Sequence, residues 1–193
     1  MVGGDLMNNE FLIFVGPMFG GKTSKLLSAI DRYKYQGKNI HVFKPSLDER
    51  YSKAEVVTHW GAKVPATRIN SDTMNKVLEP FFNCVAKDSK SVLAFDEAFM
   101  IDGVGENLIK LFTLGHTILV SSLQLSSDFT PYKEIEKIMP YATKIEICPA
   151  VCSKCDLNAY YTEKIAGRSD HEIEVGGSEM YQPKCFKHFS KLS

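Results

Sequence analysis

Five consecutive apolar residues, Phe11-Leu-Ile-Phe-Val15, begin the ordered pattern of the chain. A run of that length without alternation reads as a strand covered on both faces of a parallel sheet. Glycines follow at once. Beyond them Leu26, Leu27, Ile30 and Tyr33 recur at the spacing of one helical face, until Gly37 supplies a C-terminal stop. Strands are predicted again at 40–43, 91–95, 117–121 and 143–147, the last as a core strand. Helices are predicted at 71–86, with Ser71 or Asp72 as N-cap, and at 103–112 and 132–139. Residues 46–59 are polar with little periodicity and are expected to form a loop.

Strands alternating with helices imply an α/β fold, a doubly wound parallel sheet with right-handed crossovers. The pattern changes after Cys148. Residues 149–193 combine alternating segments, a Gly176-Gly177 turn and closely spaced cysteines, so a small β-rich zinc-binding domain is expected there, after a nucleotide-binding α/β domain at 1–148.

Composition narrows the picture further. With 193 residues, 44% of them hydrophobic, one domain and a small appendage can bury a substantial core. The 23 basic and 23 acidic residues cancel, which argues against a protein that coats nucleic acid or a membrane surface. No run approaches the roughly 18–20 apolar residues that cross a bilayer, and the opening nine residues do not resemble a signal peptide. A cytoplasmic protein is expected.

The glycines after the first strand form Gly16-Pro17-Met18-Phe19-Gly20-Gly21-Lys22-Thr23, which satisfies G-x-x-x-x-G-K-[ST] between a strand and a helix. Successive backbone N–H groups in such a loop cradle phosphates, helped by the N-terminus of the following helix. Lys22 is expected to reach the β- and γ-phosphates of ATP, and the Thr23 hydroxyl to ligate magnesium. The strand at 91–95 ends in Asp96-Glu97, which sets two carboxylates at the edge of the sheet where ligands bind. Asp96 suits magnesium, and Glu97 can take a proton from an attacking hydroxyl or water.

Cys152-Ser-Lys-Cys155 and Cys185-Phe-Lys-His188 make a Cys3His set. Two such knuckles fit tetrahedral zinc with no open position, so the metal should be structural.

These motifs together resemble the zinc-containing thymidine kinases, over nearly the whole chain. That family's G-P-M-F-x-G-K-[ST] is present at 16–23. Its K-P-x-x-D-x-R-Y appears as Lys44-Pro-Ser-Leu-Asp48-Glu-Arg50-Tyr51, and its D-E-[AG]-Q-F as Asp96-Glu-Ala-Phe99-Met100. The resemblance implies that Glu97 deprotonates the 5′-hydroxyl of thymidine while Lys22 and Arg50 offset charge on the transferring phosphoryl group. It sets Met18, Asp48 and Arg50 around the nucleoside, and implies a lasso loop between the knuckles, here 160–181, that closes over the base. Thr162, Val175, Gly176 and Tyr181 match that loop's contact positions, and Leu123, Phe129 and Tyr132, with Met100, match the wall around the thymine methyl. A homotetramer, feedback binding of dTTP and a role in nucleotide salvage are further implications. Neither a nucleic acid nor a membrane is an expected partner.

Phe99 and Met100 stand where the family has Gln and Phe, and Gln124 stands where an acid is frequent. These departures bear on which base is accepted. The alternative from another class is a P-loop ATPase whose zinc ribbon acts on or senses nucleic acid. The module at 149–193 carries no basic stripe to favour it.

Overall fold

A computed structural model describes residues 9–48, 54–58, 60–84, 90–166 and 175–192. Phe11–Val15 form β1, buried at every position, and Lys22–Tyr35 form α1. Ile40–Pro45 form β2, Thr67–Ile69 β5, Val92–Phe95 β6, Thr117–Ser122 β7 and Lys144–Ile147 β8. These strands make one sheet in the order β5-β2-β6-β7-β1-β8, and every pairing in it is parallel.

Both faces of the sheet are covered, as the unbroken apolar runs require. On one face Leu26, Leu27, Ile30 and Tyr33 of α1 pack with Leu12, Phe14 and Leu119. On the other, α2 (Ser71–Phe82), α3 (Val104–Thr113) and α4 (Lys133–Ile138) bring Leu78, Leu108, Leu111, Ile135 and Ile138 against Phe11, Ile13, Phe95 and Val120. Each such side chain contributes about 1.5–3 kcal/mol by leaving water. The fold is therefore the doubly wound α/β arrangement expected. Its layout sets the ends of β1 and β6 on one edge, with β7 between them.

The structure departs from the sequence reading in three places. The stretch expected as a loop contains β3 (Glu55–Val57), which pairs with β4 (Lys63–Pro65) in an antiparallel hairpin. Its one inward residue per strand, Val56 and Val64, is too sparse a signal to register as periodicity. Helix α2 is capped by Asn70, not by Ser71 or Asp72. The Asn70 side chain accepts from Thr73 N–H at 2.9 Å, and the Thr73 hydroxyl accepts from Asn70 N–H at 3.1 Å. The helix ends at Phe82, two residues past Pro80, short of the expected 86. Finally, β8 is the edge of the sheet. Ile145 is 43% and Ile147 58% exposed, so it is not a core strand.

Beyond β8 come two short antiparallel pairs. These are β9 (Ala150–Val151) with β10 (Asn158–Ala159), and β11 (Tyr161–Lys164) with β12 (Tyr181–Lys184).

Candidate active site

The loop between β1 and α1 wraps around the carbonyl of Cys148. A Cβ added to Gly16 or to Gly20 would lie 2.2 Å from that oxygen, so only glycine fits at either position. Gly16, Phe19 and Gly21 all hold positive φ, the last as the N-cap of α1. Lys22 is buried, and its Nζ donates to the Pro17 carbonyl at 2.7 Å, back across the loop it belongs to. This is a cradle for an anion, with its cation already inside.

The carboxylates come from β6. Asp96 is buried beside Thr23, whose hydroxyl lies 3.2 Å from Oδ1 and 3.4 Å from Oδ2. Ser121, at the end of the neighbouring β7, donates to Oδ1 at 2.5 Å. Burial first, and then the charge of Glu97, raise the Asp96 carboxyl from 3.8 to about 7, against the hydrogen bonds from Ser121 and Thr23. A hydroxyl and a buried carboxylate this close are oxygen ligands of the kind magnesium takes.

Glu97 sits at φ 50°, a left-handed conformation uncommon for a residue with a side chain. Strain of that kind costs about 1–3 kcal/mol and concentrates at functional sites. The turn sets Glu97 in a cleft shared with Met18, Phe19, Gly21, Lys22, Thr23, Ser24, Thr58 and Gly177. A smaller cavity joins Thr23, Asp96 and Glu97 to Asp48, Lys44 and Glu55. Asp48 is buried there, 3.8 Å from Lys44 Nζ. Arg50 lies outside the described residues.

An apolar wall adjoins these acids. Leu123, Phe99 and the half-buried Met18, Met100 and Tyr132 belong to one continuous cluster, with the Phe99 and Tyr132 rings 4.5 Å apart. Phe99 thus fills with an aromatic pair the place where the family motif carries an amide. Phe129 is set apart from this wall. Its ring packs on Tyr161 and Phe189, with centroids 5.7 and 5.8 Å away, and is 42% exposed.

The C-terminal hairpins approach the loop from the other side. Met18 N–H donates to Thr162 Oγ1 at 2.9 Å. Tyr181 is buried at the start of β12, and its N–H donates to the Gly177 carbonyl. A Cβ on Gly176 would lie 2.5 Å from Met180 Sδ, while Gly177 lines the cleft itself. Val175 is half-buried at the start of this segment.

Cys152, Cys155, Cys185 and His188 bring their ligand atoms within 4.8 Å of one another. His188 Nδ1 lies 3.7, 3.4 and 3.3 Å from the three sulfurs, and Cys155 and Cys185 sulfurs are 3.8 Å apart. A tetrahedron with Zn–S of about 2.3 Å has edges near 3.8 Å, so the set fits zinc. Burial opposes ionisation of Cys152, yet hydrogen bonds from Cys185 and Lys154 N–H and from His188 bring its thiol down to about 6.

Sequence reasoning gave no role to Ser121 or Thr58, and it named Lys44 only within the K-P-x-x-D-x-R-Y match and Gly177 only as half of a Gly-Gly turn. Ser121 left a trace as the first of two serines closing an otherwise apolar strand. Among the described residues no helix is long and apolar enough to cross a membrane.

Residues 10–189 match the family model described as "TK: Thymidine kinase". Among solved structures, the chain is similar to the genome packaging NTPase B204 from Sulfolobus turreted icosahedral virus 2 in complex with sulfate. The two are 18% identical over 72% of this chain and 73% of that one, with a TM-score of 0.48.

Proposed function

The chain belongs to the thymidine kinase family, and from that premise we propose that it transfers the γ-phosphoryl group of ATP to the 5′-hydroxyl of thymidine or deoxyuridine. The product is the 5′-monophosphate, dTMP from thymidine, which feeds DNA synthesis by salvage. The observation that carries this reading is the convergence of Lys22, Thr23 and Glu97 on one cleft at the ends of β1 and β6, with the buried Asp96 beside Thr23 in the adjoining cavity.

ATP phosphates occupy the loop at 16–23, where the N–H groups and the start of α1 meet them. Lys22 moves from the Pro17 carbonyl to the β- and γ-phosphates. Thr23 and Asp96 would hold magnesium, which would supply charge neutralisation on those phosphates. Ser121 keeps Asp96 turned toward Thr23. Glu97 accepts the proton of the 5′-hydroxyl as its oxygen attacks in line, and Arg50 joins Lys22 in offsetting the developing charge. Asp48 orients the sugar. Met18, Met100, Leu123 and Tyr132 enclose the base, while Thr162, Val175, Gly176 and Tyr181 close over it; Phe129, packed on Tyr161 and Phe189, stands outside that wall. Cys152, Cys155, Cys185 and His188 would hold a structural zinc, tying together the ends of this lasso. The reading extends to a cytoplasmic homotetramer subject to feedback by dTTP.

Phosphate transfer from ATP, assayed across thymidine, deoxyuridine, deoxycytidine and deoxyguanosine, tests the proposal. Thymidine and deoxyuridine should be the preferred acceptors. Turnover with none of the four would overturn it.

A further inference from the structure

We infer that Thr162 is a positioning residue for the phosphate loop, so that the zinc-tied hairpins set the donor site as well as closing the acceptor site. Two segments touch the loop from the C-terminal side. One is Cys148, whose N–H donates to Val15 O at 2.7 Å and whose carbonyl fills the space beside Gly16 and Gly20. Four residues later the chain reaches Cys152. The other is β11, where the buried Thr162 accepts the Met18 N–H at 2.9 Å. In the β11–β12 register Thr162 lies opposite Pro183, two residues before Cys185. The Pro183 carbonyl in turn accepts from Ser153 N–H, inside the first knuckle.

Each contact with the loop is therefore fixed within a few residues of a cysteine of the Cys3His set. The consequence for the donor is direct. Met18 occupies the third position of a loop whose N–H groups must converge on phosphate. Committing its N–H to Thr162 fixes the peptide plane there and leaves the following amides aimed into the cradle.

The inference uses the kinase reading only in taking the loop as a triphosphate site. Its test is equilibrium binding of magnesium with a non-hydrolysable ATP analogue to the full-length, zinc-loaded protein, with no nucleoside present. Thr162→Val keeps the shape and removes the acceptor, and should weaken binding about 5- to 20-fold, the scale of one lost hydrogen bond. Thr162→Ser keeps the hydroxyl and should remain within about twofold of wild type. Equal affinity of Thr162→Val and wild type overturns the inference, as does a Ser variant as weak as the Val variant. Should Thr162→Val fail to fold, hydrogen exchange at the Met18 amide of the unsubstituted protein decides. Protection like that of the α1 interior supports the role, and exchange at an open-loop rate overturns it. Absence of nucleoside phosphorylation would sink the kinase reading yet leave this result standing, because no acceptor enters the measurement.

Discussion

Asp96 concentrates the conflict between stability and function in a single side chain. It is buried beside Glu97, and its carboxyl is held up to about 7 by desolvation and by that neighbouring charge. A carboxyl raised above its unfolded value makes the folded state bind the extra proton. Its stabilising contribution is thus greatest in acid and is lost as pH climbs from about 4 to about 7. In metal-free buffer, Asp96→Asn should melt a few degrees above wild type at pH 8 and close to it at pH 4. Parallel melting curves across that range would refute the assignment. The same substitution should abolish magnesium-dependent turnover, which needs the carboxylate. Glu97 is the complementary case: Glu97→Gln should lower kcat by about 10²- to 10⁴-fold while leaving affinity for ATP within twofold. Ser121, which orients Asp96 from β7, could not be read as a partner because its role depends on β7 lying between β6 and β1. Strand order is a long-range property that no local pattern encodes.

The elements divide into those whose sequence states their role and those whose role comes from what they meet. β1, α1, β6 and β7 carry long apolar runs or a full helical face, and their positions follow from that alone. The β3–β4 hairpin buries one valine per strand, and Asn70 competes with two other good caps at adjacent positions. In these cases tertiary contact decides. The phosphate loop shows both kinds of information at once. Its glycines announce phosphate binding, but the reason Gly20 must be glycine is the Cys148 carbonyl, 128 residues away in sequence. Gly20→Ala should therefore destabilise the protein by about 2 kcal/mol or more and weaken ATP binding, since backbone on both sides must shift. Asn70→Ala is the contrasting case. It should cost about 1 kcal/mol through the lost cap, visible in denaturant unfolding, with kcat unchanged because α2 lies on the sheet away from the cleft. A matching loss of ATP affinity in both variants would contradict this separation.

At the scale of the molecule, a parallel sheet carries the glycine loop and the acids at one edge, and the β11–β12 hairpin meets that loop through Thr162. The doubly wound sheet and the Cys3His set were legible from spacing and periodicity alone. What escaped was how they join. Thr162 and Gly177 approach the loop because β11 and β12 pair across a long excursion of chain, and no short motif marks that pairing. Phe129 likewise matched a wall position in the family pattern, yet its left-handed φ of 63° turns it toward Tyr161 and Phe189. Because the hairpins meet at the Cys3His set, which fits zinc, Cys185→Ser should lower the melting temperature and zinc content together. Retention of one zinc per chain with unchanged melting would contradict a structural metal. Transfer of phosphate from ATP to a nucleoside hydroxyl in this cleft is decided by incubating purified protein with γ-labelled ATP, magnesium and thymidine. Label is expected to appear in thymidine 5′-monophosphate, and to be lost with Glu97→Gln. Label released only as inorganic phosphate, with thymidine unmodified, would show an ATPase instead of a nucleoside kinase.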